Sequence, residues 1–364
     1  KQAFYGVFAA LIVLVIPLLP AAGLAQDIGL EQALDAPVPP VTTDDYFGTD
    51  VAICGDTAYV GAPYVPSQPD PDDWRLAAGV VFVYGRDTSG DWLLENTILP
   101  FDLFYAYGRV IACAGDAVAV SSGGEYPDLG RVSIYERNAS GEYSLVYSVL
   151  GPVTDFNTYF GQALAMDGDT LVVGARFDDN DAQVKTGAAY VYQRQLDGTW
   201  IEVTKFPHEP TVLDYNDAFG VAVGISNDTI AIGAVSDDDI QPGAGAVYLF
   251  DRDAGGEDNW GFVMKIPGPA IWGGDFGKSL DLDEETLAVT ANEDYDGYVH
   301  LYGRNYGGEE NWGYIAECGP VESYSTSYYW NVVTVKGDWF ALGMPRDDPL
   351  GLGEEGLVSV FQWS

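Results

Sequence analysis

The sequence has few basic side chains. It contains 16 Lys and Arg residues against 55 Asp and Glu residues, which gives a formal net charge of −39. Binding to phosphate requires clustered Lys and Arg, so this balance argues against nucleic acid and anionic lipid headgroups as partners. The same charge favours association with cations.

Cysteine is also scarce, with Cys54, Cys113 and Cys318 as the only three. Three residues are too few for a disulfide scaffold, and none has the CxxC spacing of a thiolate metal site. Cys54 and Cys113 differ by one residue in their distance from the Gly-Asp turns that follow them. Side chains alternate along a strand, so we predict that these two face opposite sides and form no disulfide.

Residues with catalytic chemistry are few. The sequence has only two histidines, His208 and His300, and it lacks a Gly-x-Ser-x-Gly elbow, a phosphate-binding loop and a metalloprotease helix. We therefore expect a protein that is not an enzyme. A carbohydrate-active hydrolase is the enzymatic alternative, because the many carboxylates offer numerous pairs.

The N-terminus, residues 1–26, is apolar, with no charged residue between Lys1 and Asp27. Residues 3–25, at ~1.5 Å per residue, would span ~34 Å as a helix. We expect a retained hydrophobic helix that serves as a membrane anchor or as the core of a pilus-like filament. The alternative is a signal peptide cleaved after Ala25. Both alternatives predict export, with membrane contact only through this segment.

A repeat occupies the rest of the chain. An aromatic-Gly step recurs every 53–60 residues, at Phe47-Gly48, Tyr107-Gly108, Phe160-Gly161, Phe219-Gly220 and Phe276-Gly277, with Trp330-Asn331 as a degenerate sixth copy. Each copy is followed by four short β-branched or aromatic runs separated by turn residues, which is typical of strands. Four antiparallel strands repeated six times predict an all-β fold, a six-bladed β-propeller at 46–364.

The sixth repeat ends at its third strand, residues 358–363. Propellers can close by pairing a strand from the other terminus with the last blade. We predict that residues 27–45 are a linker and that part of 27–43 pairs with the last blade. In an assembly, a neighbouring chain could supply this strand instead.

The repeat resembles the FG-GAP repeat of integrin α-subunit heads and microbial exported proteins. Phe47-Gly48 is followed by Gly61-Ala62-Pro63, and Phe160-Gly161 by Gly174-Ala175. The resemblance implies an extracellular β-propeller that functions in adhesion or recognition. The calcium loop of integrin-like repeats is here a short turn such as Gly55-Asp56, so the chain is more similar to a short-turn microbial branch. The family's calcium sites therefore do not transfer.

Acidic residues concentrate in the loops that join the second and third strands of the repeats. These loops and the connections between blades lie on one rim, which we predict to be acidic and aromatic. Carboxylates suit Ca²⁺, while Asp-rich loops are also ordinary turn chemistry. The candidate cation ligands are Asp178, Asp179, Asp181, Asp237, Asp238, Asp239, Asp294 and Asp296.

Two sequons, beginning at Asn138 and Asn227, are candidate glycosylation sites. The sequence thus predicts a non-enzymatic cell-surface protein with a structural or adhesive role, such as a filament subunit assembled through residues 1–26. The alternative is a secreted or membrane-anchored recognition propeller. We expect its partner to be a second copy, another surface protein or a glycan.

Overall fold

The computed structural model describes residues 13–15, 46–65, 79–101, 105–123, 129–152, 158–178, 185–207, 217–293, 296–306, 308, 311–321, 332–344 and 357–362. All named elements in these ranges are strands. Among them there is no helix with the length and hydropathy needed to cross a bilayer.

Within the described residues, twenty-four strands form six four-stranded sheets. Five sheets contain strands that are consecutive in the chain. The first is β2 (Val51–Cys54), β3 (Thr57–Ala62), β4 (Val80–Arg86) and β5 (Trp92–Ile98). The second is β6 (Ile111–Ala114), β7 (Ala117–Ser122), β8 (Arg131–Arg137) and β9 (Tyr143–Leu150). The third is β10 (Ala163–Asp167), β11 (Thr170–Ala175), β12 (Ala188–Arg194) and β13 (Trp200–Pro207).

The fourth sheet is β14 (Phe219–Ser226), β15 (Thr229–Ala234), β16 (Ala246–Asp251) and β17 (Gly261–Pro267). The fifth is β18 (Leu280–Asp283), β19 (Thr286–Glu293), β20 (Asp296–Arg304) and β21 (Trp312–Val321). The sixth combines β22 (Val332–Lys336), β23 (Trp339–Met344) and β24 (Leu357–Gln362) with β1 (Val13–Val15). The prediction of an all-β fold with six four-stranded blades is confirmed.

The chain divides into two compact units, residues 32–227 and residues 1–31 with 228–364. Within each unit, apolar side chains from neighbouring blades form the core. Tyr59 and Val81 of the first blade pack with Val118 and Val120 of the second. Leu301 of the fifth blade packs with Phe340 of the sixth. Each blade therefore buries a face that it could not cover alone.

The aromatic-Gly step fixes the contact between blades. Gly161 has a φ of +83°, and its N–H donates to the carbonyl of Gly174 in the same blade. Gly174 in turn faces the next blade, where a Cβ at this position would overlap the carbonyl oxygen of Gly220. One glycine allows the left-handed turn and the other allows the close approach of two backbones.

The N-terminal strand changes the predicted closure of the last blade. Of the predicted helix at 1–26, only residues 13–15 are described, and they form β1, which pairs parallel to β24 with Val13 opposite Val358. The predicted closing strand at 27–43 lies outside the described residues. The outer position beside β24 is thus occupied by an earlier, more apolar segment.

The prediction that Cys54 and Cys113 remain unpaired is wrong. Their sulfurs form a disulfide with a Cα–Cα distance of 6.1 Å. As predicted, the two side chains point to opposite faces of their sheets, β2 in the first blade and β6 in the second. In adjacent blades, however, one face of the first sheet packs against the opposite face of the next sheet. Side chains that point to opposite faces therefore meet between the two blades.

Candidate functional site

A buried carboxylate anchors the loop between the second and third strands of the third blade. Asp178, with 1% of its surface exposed, accepts a hydrogen bond from the hydroxyl of Tyr190 on β12. The Nζ of Lys205 on β13 lies 2.8 Å from Oδ2 of the same carboxylate and above the Tyr190 ring. Burial, and then the bond to Asp178, raises the pKa of Tyr190, so the hydroxyl stays protonated and donates.

The fourth blade repeats this arrangement. Asp237 is buried and accepts a 2.6 Å hydrogen bond from the hydroxyl of Tyr248, while Lys265 reaches both Asp237 and Asp239 at 2.6 Å. Burial lowers the pKa of Lys265, but its bonds to the two carboxylates outweigh this and the net pKa is raised. The ammonium group therefore stays charged and holds the loop against β17.

These contacts bear on which of the predicted cation ligands are available to bind a metal ion. Asp178 and Asp237 are already neutralised by lysine ammonium groups, so their pairing does not fit a calcium site. Asp238 and Asp239 are exposed, and Asp296 begins β20, whereas Asp179, Asp181 and Asp294 lie outside the described residues. Across the described ranges, no three His, Cys, Asp or Glu side chains form a group that could hold a metal ion.

The fifth blade places different chemistry at the equivalent position. His300 and Glu317 replace the tyrosine and lysine, with Nδ1 of His300 3.8 Å from Oε2 of Glu317. His300 is 4% exposed, and its Nε2 has no hydrogen-bond partner among the described residues. Burial lowers the pKa of His300, partly opposed by Glu317, so the imidazole is held in its neutral form.

An exposed apolar surface lies on the loop that Asp237 anchors and on the loop that follows the fourth blade. Ile240 is 47% exposed and Trp272 is 79% exposed. The two loops are joined by backbone hydrogen bonds from the N–H of Gly273 to Pro242 and of Asp275 to Gly243. We call these segments, residues 238–243 and 269–275, the two-loop surface. The backbone that carries its apolar side chains is therefore held by hydrogen bonds between the two loops.

A tyrosine cluster forms the corresponding rim of the first blade. The rings of Tyr46 and Tyr64 are 5.1 Å apart, and those of Tyr64 and Tyr105 are 5.4 Å apart. Tyr46 is 61% exposed and has a φ of +54°. The predicted aromatic character of the rim loops is thus found in each unit considered by itself.

The two predicted glycosylation residues both participate in turns. Asn138 is exposed between β8 and β9, where its Oδ1 accepts the N–H groups of Ser140 and Glu142. Asn227 has a φ of +51°, and its N–H donates to Asp167 at 2.6 Å. Both asparagines therefore have a structural use, and their glycosylation stays a prediction.

Repeated arginines at the ends of the third strands link neighbouring blades. Arg137 of the second blade lies 3.0 Å from Glu95 of the first. Arg194 of the third blade lies 2.8 Å from Glu136 of the second. This regularity indicates that these arginines stabilise the packing of neighbouring blades. We therefore do not count them among the candidate ligand-binding residues.

A protein-family model matches part of the repeat seen in the blades. The FG-GAP repeat model matches residues 154–192 and 213–250. No curated protein matches the sequence. One similar solved structure comes from a study entitled "Structural and Mechanistic Analysis of Two Prolyl Endopeptidases: Role of Inter-Domain Dynamics in Catalysis and Specificity". It has 11% identity and a TM-score of 0.44, and the match covers 85% of this chain but 39% of that one.

Proposed function

Because this chain is an FG-GAP repeat protein, we propose that it is a non-enzymatic extracellular recognition module that binds a surface glycan through the two-loop surface. The observation that carries the proposal is Trp272, 79% exposed on a loop whose backbone is hydrogen-bonded to its neighbour. A rigid, exposed indole can stack on the apolar face of a sugar with little loss of conformational entropy.

The charge of the surrounding loop supports a partner rich in hydroxyl groups. Asp238 and Asp239 are exposed beside Ile240, with Oδ2 of Asp239 paired to Lys265, and the net charge of −39 repels acidic ligands. Carboxylates accept hydrogen bonds from hydroxyl donors, and such charge-assisted bonds are stronger than neutral ones. A neutral polysaccharide therefore fits the surface better than an acidic one.

The Cys54–Cys113 disulfide supports the extracellular assignment, because disulfides persist in oxidising compartments and are rare in the cytosol. The filament hypothesis depends on residues 1–26, of which the described part is a strand and not a helix. That hypothesis and the absence of catalysis remain predictions.

Binding to a panel of neutral polysaccharides, measured by retardation in affinity gels, tests the proposal. Trp272→Ala should weaken binding at least tenfold. Leu196→Ala is the matched control, since Leu196 is a fully exposed apolar residue on the β12–β13 turn and its loss should leave binding unchanged. Equal binding by Trp272→Ala and the wild type, or no binding to any neutral glycan, would contradict the proposal.

A further inference from the structure

A buried histidine contacts the residue that anchors the two-loop surface. His300 on β20 is 4% exposed, and its ring meets the ring of Phe276 edge-on, with the two centroids 5.6 Å apart. Phe276 is fully buried and follows Asp275, the last residue of the two-loop surface. The N–H of Phe276 donates to the carbonyl of Ala244, which follows the other loop. The imidazole therefore packs against the residue that joins both loops to the fifth blade.

The immediate surroundings of His300 suit a neutral imidazole. Its register partners are Val289 on β19 and Glu317 on β21. Nδ1 lies 3.8 Å from Oε2 of Glu317, which is too far for a hydrogen bond, and Nε2 has no partner within the described ranges. The ring of Tyr314, also on β21, lies 6.3 Å away between centroids. Aromatic and aliphatic groups thus surround much of the ring.

The remaining titratable groups near His300 leave Glu317 as the charge that acts on it. Burial raises the pKa of Tyr302, two residues along β20, to about 12, so its hydroxyl is uncharged near neutral pH. On the side of the loops, Asp275 is paired with Lys278 at 3.1 Å. Burial lowers the pKa of His300, and Glu317 opposes this in part.

A proton on His300 would leave a buried charge that is poorly compensated. An imidazolium donates from both ring nitrogens, and Nε2 lacks an acceptor in the part of the chain that the structure describes. Hydration of the charge would recover the free energy lost by burial. Water can reach the ring if Phe276 moves, because the two rings are in contact. Movement of Phe276 strains the hydrogen bond to Ala244 and the loop connections beside it.

We propose that protonation of His300 opens the two-loop surface, so that the protein holds its glycan at neutral pH and releases it in acid. The open form hydrates the imidazole and binds a proton more tightly than the closed form, so its population rises as the pH falls. Trp272 precedes Gly273, one of the two backbone donors between the loops, and opening displaces the indole. Glycan release rests on the proposed function, whereas the opening of the loops does not.

Hydrogen exchange of the full chain, followed by mass spectrometry without any glycan, tests the opening. Peptides that contain Gly273, Asp275 and Phe276 should exchange at least about threefold faster near pH 5.5 than at pH 7, after correction for the intrinsic effect of pH. His300→Gln is uncharged at both pH values, so it should match the wild type at pH 7 and lose the acid effect. His208→Gln, at the only other histidine in the sequence, is the matched control and should behave as the wild type.

Glu317→Gln is a second variant that does not depend on how well His300→Gln folds. It removes the carboxylate that favours the imidazolium in the closed form, so the closed form binds the proton less tightly still. Its loops should exchange as in the wild type at pH 7 and faster than the wild type near pH 5.5. A response equal to or weaker than that of the wild type would contradict the role of His300, because protonation of Glu317 itself would then explain the opening.

Retardation in neutral-polysaccharide gels at the two pH values measures the consequence. The wild type should bind at least about threefold more weakly near pH 5.5, and His300→Gln equally at both. Wild-type loops that exchange alike at the two pH values, an equal acid effect in His300→Gln, or constant binding while the loops open would overturn the inference and leave glycan binding intact. Opening that depends on His300 in a protein that binds no neutral glycan would support the opening and contradict the proposed function.

Discussion

The Nζ of Lys205 lies 2.8 Å from Oδ2 of Asp178, a carboxylate of which 1% is exposed. Removing one partner of a buried ion pair leaves an uncompensated charge in a medium that solvates it poorly. We expect Lys205→Met to lower the free energy of unfolding by about 3 kcal/mol. Urea denaturation of the variant and the wild type measures the difference.

Two further variants test whether the buried charge is the cause. Lys205→Met/Asp178→Asn should recover much of the loss, because the amide can still accept the hydrogen bond from Tyr190. Lys336→Met breaks a pair with Asp283 in which the lysine is 86% exposed and the Asp283 side chain 13% exposed, more than Asp178, and it should cost less than Lys205→Met. Equal losses from the two lysine variants would show that burial of Asp178 is not decisive.

The sequence marked Asp178 and Asp237 as candidate cation ligands, whereas the lysines that pair with them in the structure were not named from the sequence. If the β12–β13 hairpin were regular, its pairing, counted from the turn between the two strands, would place Thr204 opposite Tyr190. A bulge between Val191 and Tyr192 shifts the register by one residue and brings Lys205 opposite Tyr190 instead. The fourth blade has the same shift before Lys265. No residue pattern marks these bulges, so the lysines could not be assigned to the aspartates from the sequence.

The repeat itself could be predicted because each blade needs the same backbone conformations. Glycine after the aromatic residue has a φ near +84° in five blades, at Gly48, Gly108, Gly161, Gly220 and Gly277. A requirement of this kind leaves a visible pattern in the sequence. Contacts between blades, such as Cys54 with Cys113, depend on how one sheet faces the next, and alternation along a single strand does not specify that.

The disulfide links blades that are otherwise held by packing. It closes a loop of 59 residues between Cys54 and Cys113. A closed loop lowers the conformational entropy of the unfolded chain, so we expect Cys54→Ser/Cys113→Ser to lose about 2–4 kcal/mol of stability. Urea denaturation with and without reductant measures it: reductant should shift the wild type and leave the variant unchanged.

The third cysteine gives an internal check on this experiment. Burial raises the pKa of the Cys318 thiol to about 12, so it should resist a thiol reagent in the native state. One thiol per chain should react in urea without reductant, and three after reduction. Two or more reactive thiols in the native wild type would contradict the pairing.

The contact between Gly174 and the next blade should be intolerant of a side chain. A Cβ at Gly174 would overlap the carbonyl oxygen of Gly220, a backbone atom that cannot rotate away. We expect Gly174→Ala to cost about 1–3 kcal/mol. Gly343, at the corresponding place on β23, is the control, since among the described residues the nearest atom to its Cβ would be the Val332 carbonyl oxygen at 3.7 Å. Similar thermal denaturation of the two alanine variants would contradict the close approach.

Because of Asp50, the free energy of unfolding should depend on pH between pH 3.8 and about pH 6. Its carboxylate accepts a 2.6 Å hydrogen bond from the N–H of Ile111 in the next blade, yet burial raises its pKa from 3.8 to about 6. The folded state therefore binds the proton more tightly than the unfolded state. This contribution to stability is complete below pH 3.8 and is lost as the pH rises to about 6.

Asp50→Asn removes this titration and retains an oxygen that can accept the hydrogen bond from Ile111. We expect the variant to match the wild type near pH 3.5 and to exceed it at pH 7 by up to about 3 kcal/mol, measured by urea denaturation across that range. Asp50→Ala is the contrast, because it also loses the hydrogen bond and should gain less at pH 7. A difference between Asp50→Asn and the wild type that does not change with pH would show that Asp50 keeps an ordinary pKa in the folded protein.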